Sequence, residues 1–166
     1  MMRRIARLRV PLGFLFAGLV LWLAQPTPRT LLAGAVIALL GEGIRIWAAG
    51  HLEKGREVTS SGPYALTRHP LYLGSSVIAL GLAVASDRVL VNVIVLGYMA
   101  LTLTAAIRTE EAHLTEKFGA AYPDYRAGRM SVERGFSLQR AMRNREYRAA
   151  TGVLAVLAFL FWKAQP

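Results

Sequence analysis

The residues best able to do chemistry in this chain lie in two polar segments between long apolar runs. The first, Gly62 to Gly74, reads GPYALTRHPLYLG. Its side chains that can carry charge, donate hydrogen bonds or stack are Tyr64, Arg68, His69 and Tyr72. Pro63 and Pro70 fix their own φ and push the preceding residue out of the helical region, so we expect a loop with one defined path before a helix begins at Leu71. Such a loop suits a small ligand.

The second polar segment begins with Arg108, Glu110 and Glu111. Two uncharged runs of similar length separate it from the first segment, and we expect them to form a helical hairpin. A hairpin would bring both segments to the same membrane face. The sequence therefore predicts a polar pocket there, roofed by the arginine-rich part of the chain that follows.

Several kinds of active site are disfavoured. The chain has no cysteine, and His51, His69 and His113 do not form an HExxH arrangement, so we expect no metal site. No nucleophile elbow and no glycine-rich turn after a strand is present. His51 and His113 are also explained as ordinary polar residues at head-group depth.

Composition indicates a membrane protein. The chain has 166 residues, of which 54% are hydrophobic and 18% charged, and its mean hydropathy is +0.38. A net charge of +10 could indicate nucleic-acid binding, but the arginines lie beside apolar spans. We interpret them as topology signals and as contacts to anionic lipids, and expect no nucleic-acid partner.

The predicted fold is all-α, a polytopic integral membrane protein with about five membrane-embedded helices in one domain, 1–166. The predicted hydrophobic helices are 10–28, 30–50, 71–86, 89–107 and 149–162. The segments 51–70 and 108–148 are predicted to share the cytoplasmic face. We interpret the first helix as a retained anchor, and expect the fourth to continue as an amphipathic helix that ends at Gly119.

Two further features concern charge. Glu42 and Arg45 lie three residues apart in the second helix, where they are either a functional pair or a structural lock. Sixteen of the twenty basic residues fall on one side of the predicted threading. By the positive-inside rule that side is cytoplasmic, which places the amino terminus and the pocket in the cytoplasm, in an inner or plasma membrane protein.

The ordered set of motifs resembles a known family. GPYALTRHPLYLG, a hairpin, and RTEEAHLTEKFGAAYPDYRAG are similar to the isoprenylcysteine carboxyl methyltransferase family of integral membrane enzymes, related to the phospholipid N-methyltransferases. The family's pattern is a GxYxxxRHPxYxG loop, a glutamate pair and FGxxYxxY. The resemblance covers about residues 48 to 129.

The resemblance implies methyl transfer from S-adenosylmethionine to a lipophilic acceptor at the membrane–cytoplasm boundary, most like isoprenylcysteine carboxyl O-methylation. The cofactor contacts that it implies are Arg56, Glu57, Val58, Thr59, Tyr64, His69, Pro70, Leu71, Tyr72, Glu110 and Glu111. Counting back from Phe118-Gly119 favours Glu110 over Glu111.

Arg108 is the matching candidate for the arginine that positions the substrate carboxylate. In eukaryotic members that arginine precedes the glutamate by about one helical turn, whereas Arg108 precedes Glu110 by two residues and Glu111 by three. Either the register shifts, or the acceptor is not a carboxylate. Alternative functions are phospholipid or amine N-methylation, and a non-catalytic scaffold that binds partners or lipids. A nicotinamide-dependent reductase is less favoured, since related sterol reductases are much longer.

Overall fold

The structure is a computed structural model that describes residues 15–130 and 132–165. Those residues form helices joined by short connections and contain no strand, which confirms the all-α prediction. The helices are α1 (residues 15–23), α2 (Pro28–His51), α3 (Pro63–Leu66), α4 (Pro70–Ala85), α5 (Val89–Phe118), α6 (Ala121–Arg126), α7 (Leu138–Arg143) and α8 (Glu146–Lys163).

Fewer helices are long and apolar enough to cross a membrane than the five predicted. In the described part of the chain, α2 and α5 meet that test. With 16 residues, α4 reaches only about 24 Å at 1.5 Å per residue, against a hydrocarbon core of about 30 Å. The helix α8 begins with Glu146 and ends with Lys163, which shortens its apolar part. The predicted segment 10–28 begins outside the described residues.

The start of α2 follows from its sequence. The Thr27 side chain accepts a hydrogen bond from the Thr30 backbone N–H, and the Thr30 hydroxyl accepts one from the Thr27 backbone N–H. Pro28 takes the first helical position, where no N–H is required. The helix then runs to His51, close to the predicted end at residue 50.

Small residues let α2 and α4 approach closely. A Cβ added to Gly81 would lie 2.6 Å from the Gly34 carbonyl oxygen, and one added to Gly74 would lie 2.7 Å from that of Gly41. Ordinary contacts of a Cβ are longer than 3 Å, so neither position can carry a side chain without separating the helices. Small residues of α4 thus serve its close packing against α2.

The hairpin of α4 and α5 also forms as predicted. It turns at Asp87, whose φ is +51°. The second helix of the hairpin, α5, has 30 residues and includes the RTEE segment. Gly119, with φ +54°, ends the helix. Along α5 only Val91 is buried in the described structure, so most of this helix is left to face lipid or a ligand.

The chain then returns to the end of α2. We call residues 132–148 the tail. Its Ser137 N–H donates to the Gly50 carbonyl at 3.1 Å, and the Asn144 side chain donates to the Ala49 and Leu52 carbonyls at 2.9 and 2.8 Å. These bonds satisfy the carbonyls that the last turn of a helix leaves unpaired.

Candidate functional site

The loop before α4 is held from both sides. Gly62 has φ +57°, and a Cβ there would lie 2.6 Å from the His51 ring, so this position requires glycine. The next residues form the single turn α3, and the Tyr125 hydroxyl donates a 2.6 Å hydrogen bond to the Tyr64 carbonyl. The loop therefore has one path, as its prolines predicted.

Glu111 joins this loop to the far end of the hairpin. Its Oε1 accepts from Arg68 Nη1 at 2.9 Å and lies 3.2 Å from His69 Nε2. The rings of His69 and Tyr72 are 5.7 Å apart, which extends the contact onto an aromatic surface. The predicted meeting of the two polar segments thus takes place between these residues.

Glu110 faces a different part of the loop. It is exposed, and its negative charge acts on the hydroxyl of Tyr64. Burial raises the pKa of Tyr64 well above its usual range, and the Glu110 charge raises it further. The tyrosine is thus a neutral phenol at any physiological pH. Its hydroxyl is buried and has no hydrogen-bond partner among the described residues.

Arg108 lies on the same side of α5 as Glu111, one helical turn earlier. Both line an open groove of about 520 Å³, together with Ala112, Thr115, Glu116 and Arg126. Neither Arg108 nor Arg126 forms an ion pair with a described residue. The groove therefore offers two guanidinium groups beside the carboxylate that the loop holds.

The segment from Arg56 to Thr59 is tied to its own neighbours and to the tail. Glu57 Oε1 lies 2.7 Å from Arg134 Nη1, and the Thr59 hydroxyl accepts from the Glu53 N–H at 3.1 Å. Val58 is buried, whereas Arg56 is exposed and 3.8 Å from Glu53. Arg56, Glu57 and Thr59 thus contact Glu53 or the tail, and Val58 is buried beside them in the sequence.

Pro70 and Leu71 form the first turn of α4. Pro70 is buried at the first helical position, and the Leu71 carbonyl accepts from the Ser75 hydroxyl at 2.8 Å. Their side chains and backbone fix the direction in which His69 and Tyr72 leave the loop.

Sequence reasoning did not assign Tyr122 and Tyr125 to the site, although both belong to the FGxxYxxY motif. Tyr122 is buried, and burial together with the nearby Glu111 charge raises its pKa to about 12. Tyr125 holds the loop through the Tyr64 carbonyl. The spacing of three residues, which places both on one face of α6, was the available signal.

A helical membrane protein with a polar site at the end of a hairpin is the class that this fold and site define. The family model for phospholipid methyltransferase matches residues 42–121, which include the loop, the hairpin, Arg108 and both glutamates. Residues 42–121, just under half of the chain, thus match the model of a family that covers the isoprenylcysteine carboxyl methyltransferase-like membrane enzymes. The resemblance seen in the motifs is confirmed.

Two curated proteins are similar to this chain. One is the cobalt-zinc-cadmium resistance protein CzcN of Cupriavidus metallidurans, 34% identical over 51% of this chain and 39% of its own length. The other is the nickel-cobalt-cadmium resistance protein NccN of Alcaligenes xylosoxydans xylosoxydans, 29% identical over 63% of this chain and 48% of its own length. The chain thus spans less than half the length of either relative. No solved structure matches it.

Proposed function

We propose that this protein is a membrane enzyme that transfers a methyl group from S-adenosylmethionine to a lipophilic acceptor at the membrane–cytoplasm boundary. The observation that carries the proposal is the contact of Glu111 with both Arg68 and His69. It joins the two segments that carry the family's motifs into one polar site.

The donor set fits the cofactor. S-adenosylmethionine has a carboxylate, an ammonium group, ribose hydroxyls and an adenine ring. His69 and the backbone N–H groups of the loop are suited to the carboxylate, and Tyr64 and Tyr72 to the adenine. The Glu111 carboxylate, which contacts Arg68 and His69 through Oε1, is suited to accepting from an ammonium or hydroxyl group. The unpartnered Tyr64 hydroxyl is a further donor at this place.

We divide the predicted cofactor residues into two groups by their contacts. We assign direct binding to Tyr64, His69, Tyr72, Glu110 and Glu111, which surround the loop and the end of α5. We assign support of the loop to Arg56, Glu57, Val58, Thr59, Pro70 and Leu71, because their described contacts are with Glu53, the tail and α4.

The cofactor, when bound, supplies an electrophilic methyl group on a sulfonium sulfur. The acceptor atom must lie in line with the methyl–sulfur bond, so the task of the protein is placement. Arg108 is suited to holding an anionic part of the acceptor, since a guanidinium binds a carboxylate or phosphate with two parallel hydrogen bonds. With Glu111 as the glutamate that meets the loop, Arg108 precedes it by three residues, close to the one-turn spacing of the eukaryotic enzymes.

The groove also favours a second acceptor class. Its lining combines Arg108 and Arg126 with Glu116, so a zwitterionic head group with a phosphate and an amine would find partners of both signs. Phospholipid N-methylation is therefore the alternative to carboxyl O-methylation.

Calorimetric titration of S-adenosylhomocysteine into the purified protein in detergent tests the proposal, with a nicotinamide nucleotide for comparison. Saturable binding of the first alone supports a methyltransferase. Binding of the nucleotide alone would support a reductase, and binding of neither to a folded sample would support a non-catalytic scaffold.

A further inference from the structure

A part-buried ion pair links α2 to the last helix, α8. Arg45 Nε in α2 lies 2.7 Å from Glu146 Oε1, at the first residue of α8, and the Glu146 side chain is 8% exposed. The predicted partner of Arg45, Glu42, is 3.9 Å away and so is the weaker contact. The arginine thus points from its own helix towards α8 and α4.

The other arm of the guanidinium reaches the first turn of α4. Arg45 Nη1 donates to the Ser75 hydroxyl at 2.5 Å, and that hydroxyl donates to the Leu71 carbonyl at 2.8 Å. Arg45 Nη1 also lies 3.4 Å from the Leu71 carbonyl itself. The arginine reaches this turn past Gly74, where a Cβ would lie 2.6 Å from Arg45 Cγ.

The main effect of these contacts is to orient the Arg45 guanidinium, not to stabilise the packing of the helices. A buried ion pair contributes little net stability, because desolvation offsets most of the attraction between the charges. Its directional value is greater, since a planar guanidinium held at one end by a carboxylate has its other nitrogens fixed in place. Here those nitrogens point at Ser75 and Leu71, directly after the loop residues His69 and Pro70.

We infer that Arg45, oriented by Glu146, is a positioning residue for the cofactor loop, and that α8 contributes to the site through this contact. The inference rests on the proposed function. It assigns a role to α8: Glu146 fixes Arg45, Arg45 fixes the first turn of α4, and that turn sets the direction of His69 and Tyr72.

The test measures binding of S-adenosylhomocysteine by calorimetry, together with the melting temperature of each variant in detergent. Arg45→Lys keeps a positive charge for Glu146 but loses the fork that reaches Ser75. Since a hydrogen bond from a charged group contributes about 1.5–3 kcal/mol, we expect affinity to fall by about tenfold or more. Ser75→Ala removes both bonds of the relay, the one that Arg45 donates to Ser75 and the one that Ser75 donates to the Leu71 carbonyl. Arg45 keeps its longer contact with that carbonyl, so we expect a smaller loss of about fivefold.

Lys163→Ala is the matched control. Lys163 ties the other end of α8 to the Leu21 and Trp22 carbonyls of α1 at 2.9 and 2.6 Å. We expect this variant to lower the melting temperature and to leave the affinity unchanged. Glu146→Gln should lower both.

The outcomes separate this inference from the proposed function. If the wild-type protein does not bind S-adenosylhomocysteine, the proposed function falls and the inference falls with it. If the wild type binds, and folded Arg45→Lys and Ser75→Ala bind equally well, the inference alone is overturned. Should Glu146→Gln fail to fold, Ser75→Ala decides the matter, because it leaves the ion pair intact.

Discussion

His69 and Glu111 are 42 positions apart in the chain, yet His69 Nε2 lies 3.2 Å from Glu111 Oε1. One belongs to the loop before the hairpin and the other to the helix after it. Their contact, which Arg68 reinforces on the same oxygen, closes the open end of the hairpin. The site therefore depends on two helices keeping their relative position along their whole length.

Glu111→Gln should weaken binding of S-adenosylhomocysteine by about tenfold or more, because it removes the charge that Arg68 and His69 share. Glu110→Gln is the matched control, since it changes the neighbouring carboxylate, which has no such contact. We expect its effect to be smaller. Titration calorimetry on both variants measures the difference, and a larger loss in Glu110→Gln would reverse the assignment made here.

Arg108→Lys should lower turnover without changing cofactor affinity. A lysine keeps the charge but cannot offer two parallel hydrogen bonds to an anionic group. Loss of one charge-assisted contact predicts a fall of about 10- to 100-fold in kcat/KM for an anionic acceptor. Arg129→Lys is the control, because that exposed arginine is paired with Asp124 at 2.7 Å. Equal kcat/KM in the wild type and Arg108→Lys would exclude Arg108 as the acceptor-binding residue.

Tyr125→Phe should lower the free energy of unfolding by about 1 kcal/mol, the usual contribution of one hydrogen bond. It removes the 2.6 Å bond to the Tyr64 carbonyl and so loosens the loop. We expect cofactor affinity to fall in parallel. Tyr147→Phe deletes a hydroxyl from an exposed tyrosine of α8 and should change neither quantity. Chemical denaturation in detergent and calorimetry check the two effects, and an unaltered affinity in Tyr125→Phe would show that the loop does not need this bond.

The clustered charges around Glu53 predict a dependence of stability on pH. Desolvation alone would raise the pKa of Glu53, but Arg143 and Arg140, at 2.8 and 2.9 Å, together lower it below the ordinary value of 4.5. Because the folded state binds this proton less readily than the unfolded state, Glu53 stabilises the fold above pH 4.5. That stabilisation is lost as the pH falls through the lowered pKa.

Melting temperatures between pH 7 and about pH 3.5 measure this effect. We expect Glu53→Gln to melt below the wild type at pH 7 and the difference to shrink in acid. Glu133→Gln, at an exposed carboxylate without an ion pair to a described residue, should follow the wild-type curve. A constant difference between Glu53→Gln and wild type at every pH would contradict the assignment.

Local patterns in the sequence were sufficient for the helices and for the meeting of the two polar segments. Gly119 marks the end of α5, and the prolines mark the loop. These signals act through neighbouring residues, so they can be interpreted without knowledge of the tertiary structure.

Counting back from Phe118-Gly119 favours Glu110, whereas the contacts with Arg68 and His69 are made by Glu111. Successive residues of a helix point about 100° apart, so the answer depends on how α5 is rotated about its axis. From Val89 to Ile107 that helix is apolar on every side, and its sequence gives no sign of which face meets α4. The number of spanning helices was overestimated because the short predicted helices 71–86 and 149–162 were counted as membrane-embedded, whereas only α2 and α5 among the described helices are long and apolar enough to cross.

The contacts of Arg45 and Glu53 were hidden for another reason. Glu146 is 101 positions from Arg45, and Arg140 is 87 positions from Glu53. Glu42, only three residues away, was the nearer choice for Arg45 in the sequence. A chain with twenty basic residues offers too many possible pairs for charge alone to select the correct one.

The glycine contacts between α2 and α4 restrict the routes by which a lipid could reach the site from the bilayer. At Gly34 and Gly81, and again at Gly41 and Gly74, the two backbones leave no width for a hydrocarbon chain. A lipid therefore cannot pass between α2 and α4. We expect a lipid acceptor to enter the site, and a methylated product to leave it, along α5, which is sparsely packed.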